Sequence, residues 1–228
     1  VPEPTLPSLA SGQHLGGYGI VVAGVGGTGV ITIGQLLGMA GHLEGLGVVT
    51  QDSAGLAQKG GATWSHVLLA ESADDIRTTR VGVADLVIGC DPIVSAGKET
   101  VQRMRAGRTR VAINDHGTPT AAFVKNGAWG NPSEGCVADV LQAIGGDDAA
   151  AHLGAFDANT IATRLMGDSI YINPMILGYA WQKGWVPLRR ASLHRAIELN
   201  DVAVANNLAA FEWGRRCAHD LPAVLASM

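Results

Sequence analysis

Gly24-Val25-Gly26-Gly27-Thr28-Gly29 has the spacing G-x-G-x-x-G. Glycines at these positions permit a tight turn and let a phosphate approach the backbone. A helix opening behind them offers free N–H groups and the positive end of its dipole. Asp52, at the end of the next predicted strand, sits where a ribose-binding acid would sit. Taken alone, the pattern fits an NAD(P)- or FAD-binding turn. It also fits glycines that only let a helix pack closely on a sheet, or a contact for a partner chain. No hydride-transfer apparatus follows downstream.

The second unusual segment is Ala54–Gly61, AGLAQKGG. It presents Gln58 and Lys59 between glycines just after a strand. Ligands of α/β sheets collect at the C-terminal ends of strands. A lysine held there can neutralise a phosphate or a carboxylate as a point charge. Gly60 and Gly61 leave room for a cofactor or another chain. An ordinary exposed turn fits the same residues.

Other polar residues read first as structural. His66 lies in an alternating strand and reads as a satisfied sheet residue, with an active-site role as the alternative. Asp91, after Cys90, is a natural N-cap. Asn114 and His116 end a strand at the usual ligand edge; a turn role is favoured over a base role for His116. Asn173 is expected to bond backbone or a partner domain. Trp181, Trp185 and Trp213 read as packing or interface residues. Arg215 and Arg216 are expected at a solvated helix end. No catalytic residue and no metal ligand is assigned.

Elements to position these groups are legible in the hydrophobic pattern. Tyr18–Ala23 is a buried strand, Gly24–Gly29 a turn, and Thr28–Leu46 a helix closed by Gly47. Val48–Thr50, Thr63–Leu69, Asp85–Cys90, Arg110–Asn114 and Gly154–Asp157 are further strands. Ser53–Gly61 and Asp115–Glu134 are loops. A helix is expected from Pro92 to Arg105 and another over Cys136–Ile144. Helices then dominate: Thr160–Leu165, Ser169–Lys183, Ser192–Asn200 and Val202–Ala218. Strand–helix alternation followed by helices predicts an α/β class. The expected architecture is a three-layer Rossmann-like sandwich with a largely parallel or mixed sheet and a helical C-terminal part.

Composition narrows the function classes. The 228 residues are 47% apolar and only 16% charged, against a typical ~25% charged. That deficit hints at surface covered by a partner. Net charge is −4 without a basic block, which argues against nucleic acid. The uncharged stretch Tyr18–Gly41 is too rich in glycine to read as a membrane span. Cys90, Cys136 and Cys217 lie far apart with no C-x-x-C, so neither a disulfide scaffold nor an iron–sulfur cluster is expected on this chain. A reducing cytoplasm is the expected location. The first residues, VPEPTLPS, have linker composition, so the chain is expected to be cut from a longer polypeptide. The expected division is a linker over 1–17, one domain over 18–220 and a tail over 221–228.

Several motifs occur together in order. GVGGTGVITIGQLLGMAGHLEG is followed by AGLAQKGG, then Gly167-Asp168-Ser169, Asn173 with Leu177-Gly178, GYAWQKGWVPL, and RAIELN before AFEWGRR. From about Tyr18 to Asp220 the chain resembles the gamma-type domain of 2-oxoacid:ferredoxin oxidoreductases, and within them the fused indolepyruvate (aryl-pyruvate) enzymes. The resemblance implies oxidative decarboxylation of a 2-oxoacid on thiamine diphosphate, electron transfer through iron–sulfur clusters to ferredoxin, and release of an acyl-CoA. It implies that this domain helps bind CoA or close the thiamine site through Gly24, Gly26, Gly27, Thr28, Gly29, Gln58, Lys59, Gly60 and Gly61. Thiamine diphosphate, Mg and the clusters are expected on partner thiamine-binding and ferredoxin-type domains, because this chain lacks their signatures. The chain alone is expected to be inactive. A dehydrogenase-type NAD(P) domain with Asp52 on the ribose, and a purely structural assembly module, remain the alternatives.

Overall fold

Tyr18–Val25 forms β1, and its alternation explains its central place. Ile20 and Val22 are buried against one layer, Val21 against the other. A strand covered on both faces must be apolar throughout. The computed structural model describes residues 1–10, 16–55, 61–117 and 132–228. The other strands are β2 (Gly47–Ala54), β3 (Ala62–Ala70), β4 (Leu86–Gly89), β5 (Arg110–Asn114) and β6 (Leu153–Phe156). They form one six-stranded sheet in the order β2-β3-β1-β4-β5-β6. β1, β4, β5 and β6 are parallel. β3 is antiparallel to both β1 and β2, so the sheet is mixed.

Helices cover both faces, as the α/β reading expects. On one face lie α1 (Val30–Leu43), α5 (Ala158–Met166), α6 (Ile172–Gln182), α7 (Arg190–Asn200) and α8 (Val204–His219). On the other, α4 (Pro132–Ala143) brings Val140 onto Val87, Val111 and Ile113, with Met104 and Ile144 beside it. Each large side chain buried this way contributes about 1.5–3 kcal/mol relative to exposure.

α6 is buried from Asn173 through Trp181, as befits a helix apolar on every side. It touches α8 backbone to backbone. A Cβ on Gly214 would fall on the carbonyl of Met175, and one on Gly178 on that of Phe211.

Several boundaries differ from the sequence expectation. α1 ends at Leu43, and the left-handed residue after it is Gly45, φ +74°, not Gly47, which instead opens β2. β2 runs on to Ala54 because it pairs with β3 along its length. The expected helix over Pro92–Arg105 is two short ones, α2 (Pro92–Ser95) and α3 (Lys98–Val101), parted by Gly97 in extended conformation. α4 begins at Pro132, earlier than expected; the rest of the expected 115–134 loop lies largely outside the described residues.

Residues at both ends touch this body. Leu6 and Leu9 pack on the larger core, and Gln182 Nε2 donates to the carbonyl of Pro2 at 2.8 Å. The last residues form α9 (Leu221–Ala226), which buries Val224. Among the described residues no helix is long and apolar enough to cross a membrane.

Candidate functional site

The glycine run turns between β1 and α1. Gly27 and Gly29 have φ of +83° and +92°, a region other residues enter only with strain. The Gly26 N–H donates to the carbonyl of Gly61 at 2.8 Å, and a Cβ there would lie 3.0 Å from Thr63 Oγ1. This bond joins the glycine turn to the end of the Ala54–Gly61 loop, so the two segments singled out in the sequence meet. Thr28 folds back, its hydroxyl donating to the carbonyl of Val25 at 2.6 Å. Asn173, at the start of α6, donates from Nδ2 to the carbonyl of Thr28 at 2.7 Å. The amino end of α1 has no side-chain cap and no acid in its first turn. Its positive end is therefore left uncompensated by the helix itself.

From β1 the chain leaves through α1 toward β2 on one side, and β4 adjoins β1 on the other. Such a reversal opens a crevice at the strand ends. A cleft of about 540 Å³ lies there. Gly27, Thr28 and Gly29 form one wall; Cys90, Asp91, Asn114 and His116 stand at the strand ends; Asn159, Tyr171 and Asn173 come from the helical layer.

These strand-end groups are held firmly. Asp91 caps α2, accepting the Val94 N–H at 2.8 Å. Asn114, 3% exposed, donates to Asn159 Oδ1 at 2.7 Å and to the carbonyl of Cys90 at 3.2 Å. Its own oxygen accepts the N–H groups of His116 and Ala158. His116 Nδ1 lies 3.0 Å from Asp157 Oδ1, and Asp157 caps α5. Burial, aided by Asp91, pushes the Cys90 thiol up to about 12, which leaves it inert as a nucleophile. Burial, with Asp157 beside it, also raises the Asp115 carboxyl. Across the rim, Asp201 and Ala203 hold left-handed φ of 54° and 40° around the exposed Val202.

The remaining candidates sort by position. Gln58, Lys59 and Gly60 lie outside the described residues. Asp52 accepts the Ser65 hydroxyl at 2.7 Å. It stands on β2, which β3 separates from β1, two strand spacings or about 10 Å away. The strand that would bring an acid to a ribose beside the glycine turn is thus displaced. His66 is 1% exposed and accepts the Val81 N–H at 3.2 Å, a satisfied sheet residue. Trp181 donates to the carbonyl of Leu188 at 2.8 Å, and both Trp181 and Trp185 are buried packing residues. Trp213 is half-buried, with the Arg216 guanidinium 4.6 Å over its ring.

Arg215 departs from expectation. It is 3% exposed rather than solvated. Its guanidinium donates to Glu212, Gln182 and the carbonyl of Val1 at 2.8, 3.0 and 2.9 Å, and lies 5.1 Å over the Trp181 ring. Sequence reading did not single out Asp157 or Asn159; the spacing Asp157-x-x-Thr160, a capping pattern, is the signal that marks the first. Among the described residues no group of three or more His, Cys, Asp or Glu is placed to hold a metal ion.

Comparisons with known proteins agree on one family. Residues 19–217 match the model of the pyruvate ferredoxin/flavodoxin oxidoreductase family. The indolepyruvate oxidoreductase subunit IorB of Thermococcus kodakarensis is 25% identical over 206 residues, covering 90% of this chain and 97% of that protein. Its counterpart in Pyrococcus horikoshii is 27% identical over 208 residues, with the same coverage. Among solved structures, the keto/oxoacid ferredoxin oxidoreductase gamma subunit from Geobacter sulfurreducens superposes with TM-score 0.59 at 21% identity, covering 89% of this chain and 98% of that one. The 2-oxoglutarate:ferredoxin oxidoreductase from Magnetococcus marinus, solved with 2-oxoglutarate, coenzyme A and succinyl-CoA bound, gives TM-score 0.59 at 18% identity. The match covers 89% of this chain and 31% of that longer one.

Proposed function

Because the chain belongs to the pyruvate ferredoxin/flavodoxin oxidoreductase family, we propose that it is the gamma-type subunit or domain of a 2-oxoacid:ferredoxin oxidoreductase. Its substrate is indolepyruvate or another aryl-pyruvate, converted to an acyl-CoA. Thiamine diphosphate, Mg and iron–sulfur clusters reside on partner subunits or domains. This chain does no redox step and is inactive alone. Its work is to hold CoA or close the thiamine site, in the cytoplasm, with ferredoxin reached through the complex.

The observation that carries this reading is the bond from Gly26 N–H to the Gly61 carbonyl. It sets the glycine turn beside Gly61, the residue before β3, at the end of β1. The donor set fits a phosphate-bearing ligand at that wall. A Cβ on Gly27 would meet nothing within 4 Å, so the turn is open, and the amino end of α1 carries no acid. CoA, when bound, supplies the thiol that takes the acyl group. Gly27, Thr28 and Gly29, which line the cleft, would face its phosphates, while Gly24 and Gly26 shape the turn, the Gly26 N–H being held by Gly61. Gln58, Lys59, Gly60 and Gly61 are the residues we assign to the same ligand from the sequence.

The test is Lys59→Ala in the complete enzyme. The expected result is a raised apparent KM for CoA or for the 2-oxoacid. Unchanged kinetics would remove Lys59 from the site. Calorimetric titration of the same enzyme with CoA and, separately, NADH should show CoA binding only. NADH binding alone would overturn the reading in favour of a dehydrogenase domain. The displaced position of Asp52 speaks for the first outcome.

A further inference from the structure

The end of the cleft away from the glycine turn carries a hydrogen-bonded pair with no role in the phosphate wall. His116 follows β5 by two residues, with its side chain 36% exposed on the cleft wall. Its backbone N–H is fixed by Asn114 Oδ1 at 3.2 Å, and its ring nitrogen Nδ1 by Asp157 Oδ1 at 3.0 Å. Asp157 is fixed in turn. The backbone N–H and the hydroxyl of Thr160 donate to its two oxygens at 2.9 and 2.7 Å. Burial raises the Asp157 carboxyl, but the hydrogen bonds from Thr160 and His116 outweigh it and hold the group below its ordinary value. An ionised carboxylate only accepts, so Nδ1 carries a ring proton, and in the neutral form of such an imidazole the lone pair lies on Nε2. Among the described residues Nε2 makes no hydrogen bond.

The surroundings select what can approach it. Asp91 lines the cleft and Asp115 and Asp157 adjoin His116, while no Lys or Arg lines the cleft among the described residues. This corner therefore disfavours an anionic group and favours a neutral hydrogen-bond donor. The phosphates of a ligand would sit at the glycine turn, and a neutral end at His116.

We propose that His116 Nε2 accepts a hydrogen bond from a neutral thiol or hydroxyl of the ligand in this cleft, with Asp157 as the positioning residue. The proposal rests on the reading of the cleft as a CoA site. The thiol and a ribose or pantetheine hydroxyl share this chemistry, and the test separates them.

Equilibrium binding of CoA and of dethio-CoA is measured on the complete enzyme, in wild type and in His116→Phe, His116→Gln and Asp157→Ser. Serine retains the cap of α5 but cannot reach the ring. His116→Phe should weaken CoA binding about 10-fold, the worth of one hydrogen bond. His116→Gln, whose carbonyl oxygen can accept at the same place, should recover part of the loss. Asp157→Ser should weaken binding in an enzyme that circular dichroism shows to be folded. A loss seen with CoA and absent with dethio-CoA assigns the thiol; equal losses assign a hydroxyl. Equal affinity for CoA in wild type and His116→Phe would overturn the proposal while leaving the CoA reading in place. Failure of the wild-type enzyme to bind CoA would overturn both.

Discussion

Asn173 and Thr28 are 145 residues apart in sequence and joined by one bond, from Asn173 Nδ2 to the carbonyl of Thr28 at 2.7 Å. Asn173 is 6% exposed and opens α6, the most deeply buried helix. The bond anchors the glycine turn to the centre of the helical layer. Asn173→Ala leaves that carbonyl without its donor, and a lost bond of this kind costs about 1–3 kcal/mol. Urea unfolding should show that loss. Asn173→Asp should cost more, because it sets a carboxyl oxygen against the carbonyl.

His66 gives the fold a defined pH response. Burial, with Arg103 and Arg80 adding to it, pushes its pKa down to about 4 from the ordinary 6.5. Above pH 6.5 neither the folded nor the unfolded chain protonates it, and its contribution is fully present. As pH falls from 6.5 toward 4, the unfolded chain takes up a proton that the folded one refuses. Stability is lost across that window, by roughly 3 kcal/mol. Below 4 both states bind the proton and this loss stops. Unfolding free energy measured against pH should show the slope in wild type and a shallower one in His66→Gln.

Arg215 ties three segments together, so its removal should do more than loosen α8. Arg215→Ala takes a buried guanidinium from Glu212, which keeps Arg190 and His194 at 2.8 and 3.0 Å. With those partners left, the cost should fall near the lower end of the 3–5 kcal/mol seen for broken buried pairs, about 3 kcal/mol. Residues 1–10 lose the bond to the Val1 carbonyl. Limited proteolysis should therefore cut that segment faster, alongside a lower melting temperature.

The layered α/β plan was legible because β1, β4 and β5 are built on β-branched apolar runs buried on both faces. Their bounds fall within a residue or two of the hydrophobic runs. The orientation of β3 was not legible. Thr63–Leu69 alternates like any strand, and only its pairing with β1 and β2 sets its direction. That single insertion moves Asp52 away from the glycine turn and changes what the turn can hold. Asp91 and Asn173 were readable as structural polar residues from local chemistry. Arg215 was not, because its burial depends on Val1, Gln182 and Trp181, which lie far from it in sequence. The His116–Asp157 pair escaped for the same reason: 41 residues separate its members.

The place of β3 also orders the birth of this molecule on the ribosome. β1 and the glycine turn are made before the strands that β1 pairs with, whose last residues are Ala70 and Gly89. At about 5–20 residues per second, that is several seconds of synthesis. Until then β1 is an apolar strand without its sheet neighbours. The β2–β3 hairpin can close locally in the meantime and offer β3 as its first neighbour. A nascent chain stalled before Ala70 would expose β1 to aggregation, and chaperone binding should concentrate on that early strand.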